Sequence, residues 1–127
     1  MSNADEQRFP FVPKSTAFLR EGQCWAVPLA DGRYGCGYIV AVYPSERRMF
    51  LAGLTNWFGE KLPVPADLAG HFVIEQAMAH IKTITENGRQ ILGCCDTPLK
   101  VVAKQCDPYT TWGYKVITLL AERHAKT

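Results

Sequence analysis

No apolar run in this sequence approaches the roughly 20 residues that a bilayer crossing needs, and neither sign of charge prevails. Fourteen Lys and Arg face twelve Asp and Glu, a formal charge of +2, so there is no overall field to draw the chain to nucleic acid or an anionic membrane. Neither partner is expected. The polar opening lacks the basic and apolar regions of a secretory signal, and a cytoplasmic location is the expectation. The three histidines, His71, His80 and His124, are widely spaced and form neither H-x-H nor H-E-x-x-H, so the spacing supports no metal site and no cofactor. The glycines around Arg33 to Gly37 lack the Lys-Ser or Lys-Thr ending of a P-loop and lead into a strand pattern, which excludes a nucleotide-phosphate loop.

Cysteine is present in odd number: Cys24, Cys36, Cys94, Cys95 and Cys106 leave at least one thiol free in a monomer, as suits a reducing compartment. There is no C-x-x-C pair, and adjacent Cys94 and Cys95 are poorly placed to share one tetrahedral zinc. The expectation is five reduced, mostly buried thiols that behave as small apolar groups. A cysteine nucleophile with His80 as its base is the sharper alternative, but no local pattern says which thiol would be activated.

What is present is enough for one core. A chain of 127 residues with 47% hydrophobic content fits a single domain. Residues 1–21, with Pro10, Pro13 and many polar groups, read as a surface arm with Phe9, Phe11 and Phe18 as docking points, and residues 22–127 read as the globular domain. Asp31-Gly32 is a hairpin signal between residues 23–29 and 33–43; as a two-residue turn it places Trp25, Val27 and Leu29 on one face with Tyr34, Cys36, Tyr38, Val40 and Val42. Residues 48–54 return beside them. Ile39, Phe50, Ala52 and Leu54 make the opposite face apolar as well, so this unit needs cover on both sides.

Residues 53–70, with Trp57, Gly59, Pro63 and Pro65, read as a loop with one helical turn near residues 66–69. Asn87-Gly88 predicts a second hairpin between residues 72–84 and 89–93. Residues 113–124 suit helix or strand, and helix is the reading adopted. The predicted class is α+β, mainly β: a strongly bent antiparallel sheet or a small, partly open barrel with one or two short helices.

Trp57 and Trp112 fall in predicted loops, where tryptophan serves either as an interface anchor or as a cap on the open end of a curved sheet. Tyr34 is a third candidate anchor. Lys82 lies one strand period from His80, which predicts a shared polar patch with acids such as Glu75 or Glu122, or simply a solvated strand face.

The segments Gly22-Gln23-Cys24-Trp25-Ala26-Val27-Pro28-Leu29, Asp31-Gly32-Arg33-Tyr34-Gly35, Phe50-Leu51-Ala52-Gly53-Leu54-Thr55-Asn56-Trp57, Ala79-His80-Ile81-Lys82-Thr83-Ile84 and Trp112-Gly113-Tyr114 carry a resemblance. The chain resembles the bacterial immunity-protein family numbered twenty-six of polymorphic toxin systems, also labelled HocA-type phosphotriesterase. The resemblance implies a small cytosolic protein that neutralises a cognate protein toxin by stoichiometric binding. Its second label implies the alternative, a phosphotriesterase-like hydrolase. It assigns no catalytic residue here.

Overall fold

A computed structural model of the chain describes residues 8–104 and 111–126. Among them, strands β1 (Gln23–Pro28), β2 (Tyr34–Ala41), β3 (Met49–Gly59), β4 (Phe72–His80), β5 (Ile91–Cys94), β6 (Lys100–Val101) and β7 (Thr111–Trp112) join helices α1 (Lys82–Thr85) and α2 (Val116–Ala125). Single 3-10 turns lie at Thr16–Phe18 and Pro65–Leu68. The fold is mainly β. Seven strands form one mixed, open sheet in the order β5-β1-β2-β3-β4-β6, with β7 also on β4. No helix among the described residues is long and apolar enough to cross a membrane.

The β1–β2 hairpin forms where expected, but its register is one residue away from the expected one. Asp31-Gly32 is the end of a three-residue loop, closed by Leu29 N–H to Arg33 O at 2.9 Å, with Gly32 in the left-handed region at φ +88°. Trp25 therefore faces Gly37, and Ala26 faces Cys36. One residue of slip turns every side chain over. Trp25 and Val27 join Ile39, Phe50, Ala52 and Leu54 in the main core, whereas Cys24, Cys36 and Tyr38 lie in a second cluster with Leu68 and Val73.

The glycines of β2 explain why this register wins. A Cβ at Gly37 would stand 2.2 Å from the Trp25 indole, so the ring fills space that only glycine leaves open, and its edge meets Phe50 with centroids 6.0 Å apart. Gly35 gives Ala121 of α2 room to approach, since a Cβ there would lie 3.4 Å from the alanine methyl. Helix α2 covers this face with Ile117 and Ala121, both fully buried. The expected helix at the C-terminus is present.

Both faces are covered, as the two apolar patterns require, and the edges of β5 and β4 are partly covered too. Phe11 exchanges two backbone hydrogen bonds with Ile91 on the outer edge of β5, at 3.1 and 2.8 Å. On the outer edge of β4, β6 pairs with Phe72 and Val73 while β7 pairs with Met78 and Ala79, both in parallel. Covered edges remove a template for pairing with other chains.

Two further expectations are corrected. Residues 55–59 belong to β3, not to a loop, so Trp57 is a strand residue. Asn87-Gly88 does not turn a hairpin: β4 ends in α1, and β5 pairs with β1 across the sheet. The reason is local geometry. Positive φ falls on Arg89, at +68°, and Gly88 serves close approach, since a Cβ there would lie 2.2 Å from the Ala26 carbonyl oxygen. Asn87 donates to Thr83 O and Tyr114 O and accepts from Thr118 Oγ1, so its side chain ties α1 to the start of α2.

If the indole slot sets the register, Gly37→Ala should lower stability by about 3 kcal/mol or more through overpacking. Gly32→Ala, with open space around its Cβ but φ at +88°, should lose only about 1 to 2 kcal/mol from backbone strain. Urea unfolding of both variants checks this; equal losses would remove the slot from the argument.

Candidate functional site

The aromatic candidates separate into a surface pair and a core residue. Between Gly35 and Gly37 of β2, the facing strand β3 carries extra residues, with Gly35 opposite Phe58 and Gly37 opposite Leu54. Buried Thr55 stabilises this bulge: its Oγ1 donates to Cys36 O at 3.1 Å and accepts from Trp57 N–H at 3.3 Å. Beyond it, Trp57 lies half-buried against the second cluster, and its indole occupies the position a Cβ of Gly59 would take, 2.5 Å away. Tyr34 is registered opposite that same Gly59 and is also half-exposed. Tyr34 and Trp57 thus flank one bare stretch of backbone at the end of the sheet. Exposed Leu62 and Val64 follow in the connection from β3 to the Pro65–Leu68 turn.

Asn56 and His71 border this end. Asn56 Oδ1 accepts from Phe72 N–H at 2.9 Å and lies 3.1 Å from His71 Nδ1. The sequence marks neither as a partner of the other: His71 reads only as one of three scattered histidines, and Asn56 lies fifteen positions before it. Trp112 is different. It is 8% exposed on β7 and belongs to the main core, which favours its packing role over an anchoring one.

His80 and Lys82 come together, but not on one strand and not with acids. His80 ends β4, Lys82 begins α1, and the Lys82 N–H donates to His80 Nδ1 at 3.1 Å. Their shared neighbour is Tyr114: the His80 ring lies 5.7 Å from it between centroids, and Lys82 Nζ stands 5.6 Å from its ring centre. Glu75 pairs with His124 Nε2 at 2.8 Å, and Glu122 accepts from Ala30 N–H at 2.8 Å. Both acids act as ties between α2 and the sheet, each with a partner other than His80 or Lys82.

Cys24, Cys36, Cys94 and Cys95 are free thiols; Cys106 lies outside the described residues. Cys24 and Cys36 are fully buried in the second cluster, and burial pushes the Cys36 thiol well up. Burial, with Cys24 nearby, pushes Cys95 up to about 11. Cys36 and Cys95 are therefore poor nucleophiles, whereas the hydrogen bond with Cys36 holds the Cys24 thiol below its ordinary value in a site with no exposed surface. Among the described residues, no group of three or more His, Cys, Asp or Glu is placed to hold a metal ion. The Tyr34–Trp57 end offers aromatic area and backbone, which is chemistry for binding.

At a working pH of about 8, a thiol at about 11 carries roughly a hundredfold less thiolate than one at the ordinary 9.0. Iodoacetamide should therefore label Cys95 slowly in the native protein and rapidly in urea, as read by peptide mass spectrometry. Equal rates in the two states would show that burial does not protect it.

Comparison with protein-family models, with curated proteins and with solved structures gives no match to this chain, which leaves its residues and their geometry as the ground for a functional reading.

Proposed function

We propose that this chain is an immunity protein of the family numbered twenty-six, acting in the cytoplasm by stoichiometric binding to a cognate protein toxin. The observation that supports binding is the placing of Tyr34 and Trp57: two partly buried aromatic side chains on neighbouring strands, one opposite Gly59 and the other packed against it. Rigid aromatic groups of this kind bring contact area at low entropic cost, and they are enriched among the residues that dominate interfaces. Neutralisation by occupation of a toxin surface needs complementarity and no turnover.

The test uses purified protein and the toxin encoded beside its gene. Calorimetry should give one-to-one binding, and Trp57→Ala should weaken it by about 2 kcal/mol, roughly thirtyfold, while thermal unfolding shows that the domain remains folded. Trp112→Ala should instead cost about 3 to 5 kcal/mol of stability, because it empties part of the main core. Neutralisation by sub-stoichiometric protein, with multiple turnovers of a phosphate ester that a chelator stops, would replace this reading with the hydrolase.

A further inference from the structure

A second surface stands apart from the aromatic pair in chemistry. The arm is held at three places: Phe11 on β5; Thr16, whose N–H donates to Arg47 O and whose Oγ1 donates to Glu46 O; and buried Gln23, whose side chain accepts from Arg20 N–H and donates to Phe18 O. Fixing the arm this way leaves Phe9, Val12 and Phe18 exposed at 38, 54 and 48%, next to exposed Tyr43 at 40%. Two open grooves flank the Thr16–Phe18 turn. One, of about 300 Å³, is lined by Arg8, Phe11, Val12, Lys14 and Phe18. The other, of about 320 Å³, includes Leu19, Val42, Tyr43 and Arg47.

Charge decides what fits. Arg8, Lys14 and Arg47 are exposed at these grooves, and none takes part in the ion pairs found among the described residues, which join Arg33 to Asp31 and His124 to Glu75. Glu46, the one acid lining either groove among the described residues, is engaged locally: its Oε1 accepts from Arg48 N–H at 2.8 Å and from Met49 N–H at 3.3 Å. Those donors hold its carboxyl below the usual range, so it stays a local strut. We infer that the arm surface is a docking site for an acidic, apolar polypeptide segment, with aromatic or aliphatic side chains in the grooves and carboxylates against Arg8, Lys14 and Arg47. This inference does not rest on the toxin reading, because it needs only a partner of that chemistry.

The probe is a synthetic dodecapeptide alternating glutamate with leucine and phenylalanine, added to the full isotope-labelled chain. Amide shifts should concentrate on the arm and residues 42–47, and the affinity should fall at least about tenfold on Arg8→Glu with Lys14→Glu, and again at high salt. These exposed substitutions leave the pinning contacts in place, and a preserved amide spectrum confirms the fold. The inference is overturned if the peptide gives no arm shifts up to about 1 mM, if a lysine-for-glutamate peptide binds equally well, or if only vesicles of phosphatidylglycerol and phosphatidylcholine engage this face. Loss of toxin binding with the peptide site intact would count against the proposed function alone.

Discussion

The fit of the Trp25 indole over the bare backbone of Gly37 is the constraint on which the arrangement of the other side chains depends. In the register one residue away, the largest side chain of the core would face Tyr38 in place of a glycine. Once the ring is in place, Val27 faces Gly35, α2 can press Ala121 toward Gly35, and the main core closes between sheet and helix. The same choice sends Cys24, Cys36 and Tyr38 to the other face. There the Pro65–Leu68 turn brings Leu68, and the Tyr38 hydroxyl accepts from Leu99 N–H at 3.0 Å, which fastens the chain after β5 across that cluster.

How much of this is legible in the sequence depends on the range of the interaction that decides each element. Asp31-Gly32 marks a turn correctly because its signal is local, yet loop length is set by packing several residues away, and three residues instead of two invert a strand. The faces of β2 and β3 could be read, since Ile39, Phe50, Ala52 and Leu54 follow the strand period over a long stretch. Asn87-Gly88 misleads for the opposite reason. Its glycine answers a contact with Ala26, more than sixty positions earlier, that no local pattern contains. The aromatic candidates show the same divide: Tyr34 and Trp57 both border Gly59 beyond a bulge whose buried donor, Thr55, looks like any strand threonine, whereas Trp112 is drawn into the core by pairing with Ala79.

The buried polar groups fall into two kinds with different consequences. Gln23 and Thr55 have no exposed surface and meet backbone partners, so each converts a desolvation penalty into a fixed geometry, one for the arm and one for the bulge. Trp25 Nε1 and Thr83 Oγ1 have none. For Trp25 this is the consequence of the glycine slot, which accommodates the ring edge tightly and leaves the indole N–H without an acceptor. The packing gain of a large aromatic side chain outweighs one buried donor left unsatisfied, which costs about 1 to 3 kcal/mol against several gained by the buried ring.

That division bears on how the molecule would meet a partner. Association is opposed by the ordering of side chains and loops at an interface, so affinity from a small patch requires a surface already held in shape. The arm satisfies this through backbone bonds at Phe11 and Thr16 and through Gln23, contacts made by its inward side, which leave its apolar and cationic groups facing outward. The Tyr34–Trp57 end satisfies it through the bulge and the close fit of the indole on Gly59. In both places a buried polar residue holds the backbone while aromatic groups keep part of their surface open, and that combination makes recognition, with its demand for fixed complementary shape, the chemistry these surfaces are suited to perform.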